Sequence, residues 1–127
     1  MRNKSVSLIA SLLAIALVLV LPLAALVLNP PITKTAFESY NCGVDFSKRV
    51  GTDTISIVSV TATNANTGSD ATGSVIAASP TPFISAKSIV FRVQGGTAGQ
   101  TYLISVRVLD STTGETFDGQ IYLTVTR

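Results

Sequence analysis

The stretch Val93–Val108, VQGGTAGQTYLISVRV, has the spacing most suggestive of chemistry in this chain. Gly95, Gly96 and Gly99 gather in a loop ahead of a regular element. Such a loop cradles phosphate where a helix follows and its first amides face the anion, and it usually carries a lysine, as in GxxxxGK[ST]. Here Tyr102, Ile104, Val106 and Val108 alternate with Leu103, Ser105 and Arg107, and no lysine follows Lys87. Alternation is strand spacing. The glycines therefore read as a turn that supplies positive φ between two strands. Tyr102 reads as a corner tyrosine, with its ring at the core edge and its hydroxyl bonded to nearby backbone.

The remaining chemistry-bearing residues point away from catalysis. The chain has no histidine and no tryptophan, which excludes Ser-His-Asp and Cys-His nucleophiles and histidine-based metal sites. A single cysteine, Cys42, permits neither an intrachain disulfide nor a thiolate zinc site, and reads as a small buried strand residue. Carboxylate catalysis needs two acids across a cleft, whereas the acids here sit mostly at turns and strand ends, where they serve the local backbone. Asp110, Glu115 and Asp118 surround one hairpin but lack the alternating oxygen-ligand spacing of a calcium loop. No catalytic, cofactor-binding or metal-binding residue is expected, and the chain reads as non-enzymatic.

The elements around these residues are strands. After Asn29-Pro30-Pro31 the hydrophobic period becomes two. Ala36, Tyr40, Cys42, Val44 and Phe46 share a face, with Glu38 the exception. Residues 53–62, DTISIVSVTA, read as a second strand, 64–73 as a loop and 74–78 as a short strand ended by Ser79-Pro80-Thr81-Pro82. Ile89, Phe91 and Val93 alternate before the glycine loop; Ile121, Leu123 and Val125 alternate after a turn at 110–115. No helical pattern follows Pro31. Short strands with turns at regular intervals predict an all-β, immunoglobulin-like antiparallel β-sandwich over residues 36–127, after a proline-containing linker at 29–35.

One N-terminal apolar α-helix, residues 1–28, is expected ahead of the sandwich. Val6–Leu28 carries no charge, and about 23 helical residues span roughly 35 Å, enough for a bilayer core. Arg2 and Lys4 precede it, which favours an N-inside anchor; a cleaved export signal is disfavoured by the length of the run. Ser7, Ala10, Ser11 and Ala14 recur at spacing that lets helices approach closely, in lipid or in a protein bundle. Membrane contact through residues 6–28 and burial in an assembly with self-association both stay open. From Asn29 onward seven basic and seven acidic residues cancel, so the formal +2 comes from Arg2 and Lys4. No clustered basic face marks a nucleic-acid partner.

Two segments carry a family resemblance. Val44-Asp45-Phe46-Ser47 with Gly51-x-Asp53-Thr54-Ile55, and Val93-x-Gly95-Gly96-Thr97-Ala98-Gly99-Gln100-x-Tyr102-x-Ile104-x-Val106 with Ile121-x-Leu123-x-Val125, resemble the bacteriophage fiber-tail adaptor family over about residues 37–127. Two departures stand out. Ile57-Val58-Ser59-Val60 replaces an aromatic residue that the family usually places after the D-T-I segment, and the family's short polar start is here a long apolar one. The resemblance implies a structural protein of the virion tail, present in several copies, that links tail fibres to the tail or its adaptor ring. Leu103, Leu109 and Tyr122, opposite the inferred core, are then candidate partner contacts. The alternative is a bacterial or prophage surface module held in the inner membrane with its immunoglobulin-like domain outside. A carbohydrate-binding sandwich is disfavoured, because sugar sites stack on exposed aromatics and tryptophan is absent.

Overall fold

The structure is a computed structural model and describes residues 26–127. Eight strands form two sheets: β1 (Leu26–Leu28), β2 (Ile32–Thr35), β3 (Tyr40–Asp45), β4 (Ile55–Asn64), β5 (Phe83–Ser85), β6 (Ser88–Val93), β7 (Thr101–Asp110) and β8 (Thr116–Thr126). The larger sheet runs β1-β8-β7-β4, with β2 following β1 along the same edge of β8; the smaller runs β3-β6-β5. Residues from both sheets, among them Val44, Phe46, Phe91, Ile104, Val106 and Leu123, make one buried cluster. The described residues thus form a mainly β sandwich.

Alternation in the sequence becomes alternation in burial where both neighbours are strands. Along β7, Tyr102, Ile104, Val106 and Val108 are buried while the residues between them are half-buried or exposed. In β4 the phase slips. Ile57 lies opposite Val108 and Ser59 opposite Arg107, which leaves Val58 as a bulge, 53% exposed. The extra residue returns Val60 and Ala62 to the side of Val106 and Ile104, as bulges do.

Several expectations need correction. Leu26–Leu28, assigned to the apolar helix, form β1, paired in parallel with Asp118–Gln120. The edge of β8 offers unpaired backbone groups, and these outweigh the local helical preference. The rest of that helix, with Ser7, Ala10, Ser11 and Ala14, lies outside the described residues. No helix among the described residues is long and apolar enough to cross a membrane. Ile32–Thr35, read as linker, is strand β2, also parallel to β8. The sandwich is therefore not wholly antiparallel, and most of the chain separates these parallel partners, as that pairing requires.

Local details also differ. Thr35–Glu38 form a turn, and β3 starts at Tyr40. Ser74 belongs to a one-turn helix, Thr72–Val75, rather than a strand. Another single turn covers Ser47–Val50. Strand β5 was hidden because three residues show no period. Cys42 is half-buried, and burial pushes its thiol pKa upward, which disfavours the reactive thiolate.

At Gly119 of β8 there is no room for a side chain between the strand and the residues facing it. A Cβ placed there would stand 2.5 Å from Val44 Cγ1 and 3.0 Å from Phe46 Cζ, both across the core. Gly119→Ala should therefore lower stability by about 1–3 kcal/mol, the usual cost of overpacking. Urea unfolding checks this; an unchanged midpoint would show that Val44 and Phe46 make room without loss.

Candidate functional site

The glycine loop binds to its own domain. The Tyr102 ring is buried and its hydroxyl accepts a hydrogen bond from the Thr97 amide at 2.9 Å. Gly99 N donates to Val125 O, Val125 N to Gln100 O, and Gln94 N to Val75 O. The amides of Thr97, Gly99 and Gln100 are used within the sandwich, and the element that follows is a strand. The glycines answer to space as well as to dihedral angle. Gly95 and Gly96 have φ of 48° and 84°; a Cβ on Gly95 would meet Ser74 O at 2.6 Å, and one on Gly96 would meet Val125 Cγ2 at 2.8 Å.

Lys34 completes this corner, and sequence reasoning missed it. Strand alternation turns its side chain inward opposite Val125, where it is 2% exposed. Its ammonium donates to Thr35 O at 2.7 Å and to Gly95 O. A buried ammonium needs such acceptors. Burial lowers the Lys34 pKa, while the nearby Glu38 and Tyr102 oppose the shift. The available signal was the period of Ile32-Thr33-Lys34-Thr35, masked by the usual exposure of lysine.

The outer face of the larger sheet carries the candidate partner contacts. Leu103 and Tyr122 are direct cross-strand neighbours, with Thr63 opposite Leu103 on the other side. Tyr122 is 48% exposed, and Leu103 is half-buried. Leu109 is also half-buried but sits six residues along β7, roughly 20 Å from Leu103 at strand rise. Hence the three residues do not form one patch. Between them lies a shallow groove of about 210 Å³, lined by Ser59, Thr61, Ser105, Arg107, Asp118 and Gln120. Arg107 grips Asp118 with two hydrogen bonds, Nε to Oδ1 at 2.7 Å and Nη2 to Oδ2 at 3.1 Å. That pair is solvent-exposed, so water screens it and it adds little to stability, and it leaves no free charge at the groove floor.

The acidic residues of the β7–β8 hairpin do structural work. Asp110 is buried, and its Oδ1 accepts from the Thr112 and Thr113 amides at 2.9 and 3.3 Å. Burial alone would raise its pKa; hydrogen bonding with Asp53 and from those amides outweighs this and leaves it lowered. The Asp53 carboxyl, held against Asp110, is pushed up by that contact, then by desolvation and by the charge of Asp110; Lys87 opposes the shift and Glu115 adds to it. Asp118 is committed to Arg107. Asp110 and Asp118, two of the three acids considered for calcium, thus serve separate partners.

Comparison with known proteins follows the same residues. The family model described as podophage GP4 fiber-tail adaptor protein gp77 matches residues 34–124. No curated protein matches the chain.

Two measurements test the site chemistry. Tyr102→Phe keeps the ring and strands the Thr97 amide, so it should cost about 1–2 kcal/mol in urea unfolding; a neutral result would remove the hydroxyl from the account of the loop. A folded-state pKa above the unfolded value gives Asp53 a stabilising contribution at low pH that is lost as pH rises through the raised value. Asp53→Asn should therefore melt above the wild type at neutral pH, with the difference closing towards about pH 3. A variant less stable than wild type at neutral pH would contradict the carboxyl contact.

Proposed function

The chain belongs to the podophage GP4 fiber-tail adaptor family, and from that premise we propose that it is a non-enzymatic structural protein of a tailed-phage virion, linking tail fibres to the tail or its adaptor ring. The observation that carries this reading is the extent of the match. It runs from Lys34 in β2 to Thr124 in β8, and so takes in nearly the whole sandwich rather than a local motif. The fold suits the role. Strands β2–β8 divide into a β2-β8-β7-β4 sheet and a β3-β6-β5 sheet, which we read as an immunoglobulin-like arrangement whose first strand lies beside its last. Such a sandwich is a rigid spacer with loops at both ends.

The glycine loop and the hairpin acids, spent on internal hydrogen bonds, support a scaffold rather than a catalyst. In this reading partners are tail and fibre proteins, the location is the virion tail, and several copies act together. The apolar N-terminal run, where Ser7, Ala10, Ser11 and Ala14 recur at a spacing suited to close packing, supplies an attachment in the assembly. The outer sheet face around Leu103 and Tyr122, with Leu109 further along, supplies lateral contacts.

Mass spectrometry of purified virions tests the proposal. The chain should be present at a fixed ratio to the other tail proteins, and it should leave the particle together with the fibres when these are stripped. Its absence from particles, with recovery in the host inner membrane, would overturn the virion role.

A further inference from the structure

Phe37 stands apart from every other large apolar side chain among the described residues. It is 98% exposed, whereas the next, Val58, is 53% exposed. A phenyl ring offers roughly 150–250 Å² for burial, and here almost none of it touches the chain that carries it. Exposure of this kind contributes nothing to the fold.

The backbone beneath the ring is held firmly. Residues Thr35–Glu38 form a turn closed by Glu38 N donating to Thr35 O at 3.3 Å, and by Thr35 N donating to Glu38 Oε1 at 2.8 Å. Thr35 O also accepts from the buried Lys34 ammonium, which reaches on to Gly95. On the far side, Arg92 donates to the Ser39 hydroxyl and carbonyl, and Tyr40 OH donates to Thr33 O. The ring is therefore presented on an ordered support, so binding through it carries little further ordering cost. Buried aromatic anchors ringed by polar groups dominate protein interfaces.

Charge defines the partner. Glu38, the next residue in the turn, is exposed, and the Thr35 amide hydrogen bond favours its ionised form. Of the cations around it, Lys34 is turned inward and Arg92 is held at Ser39 by two hydrogen bonds. The turn itself thus offers one apolar ring and one negative charge. A membrane surface is the wrong complement, since its anionic head groups attract basic segments. A protein socket with a basic rim is the right one.

We propose that Phe37 is a docking knob whose ring enters an apolar socket, edged by a basic side chain facing Glu38, on a tail or fibre protein. The inference rests on the virion role proposed above.

The test uses the full-length chain, supplied to a phage lacking the corresponding gene. Phe37→Ser should melt like wild type, because the ring makes no internal contact, yet its retention in particles should fall by about tenfold or more. Glu38→Gln should reduce retention less, and mainly at low salt. A photoreactive phenylalanine analogue at position 37 should cross-link, within particles, to a tail or fibre peptide containing lysine or arginine. Equal retention of Phe37→Ser and wild type would overturn the knob, as would cross-links to lipid, to a second copy of the chain, or to nothing. Absence of the wild-type chain from particles would be a different failure: it removes the virion role and this inference with it.

Discussion

The inward-pointing ammonium of Lys34 holds together the end of the sandwich on which the other features depend. It lies on a strand whose ladder partner is β8, and it joins that strand to the carbonyl of Gly95 in the β6–β7 loop. The loop is in turn tied to β7 by the Tyr102 hydroxyl and to β8 by Gly99 and Gln100. One cation thus connects the first strand after the prolines, the glycine loop and the last strand. An ammonium removed from water is costly unless its donors are satisfied, so the carbonyls of Thr35 and Gly95 must stay in place. That requirement fixes the adjoining Thr35–Glu38 turn as well.

At the opposite end the constraint is steric and electrostatic. Gly119 lets Val44 and Phe46 reach β8 across the core, and Asp110 organises the hairpin that starts β8. Strand β8 is accordingly held along both edges, by β7 and by β1 and β2, and pressed on one face. The linking role proposed above would require position to be transmitted from one end to the other, and a strand held in this way suits that demand.

Much of the sandwich was legible in the sequence for a simple reason. In β6, β7 and β8 one face is core and the other solvent, so apolar residues fall on alternate positions. The glycine loop and Tyr102 were legible because positive φ and a strand-opening tyrosine restrict residue type. What escaped lacks such a pattern. Lys34 occupies a core position by means of its aliphatic stem, against the usual distribution of lysine. The bulge at Val58 appears only when Ile57 and Ser59 are paired with β7. Strands β1 and β5 have three residues each and exist through their neighbours. Leu103, Leu109 and Tyr122 all alternate with core positions, yet the distances along β7 divide them. Phe37 carries no sequence signal at all, since nothing in AFES distinguishes a displayed ring from a buried one.

Belonging to the fiber-tail adaptor family gives these features a direction. A domain whose loops are satisfied internally leaves recognition to what protrudes and to the open sheet face. The most direct measurement is a cryo-electron microscopy reconstruction of the phage tail at side-chain detail. The expected map shows this sandwich at the junction between fibre and tail, with the Thr35–Glu38 turn inside a contact and the Phe37 ring enclosed by a neighbouring protein. A map in which no density at that junction fits the sandwich would contradict the central claim.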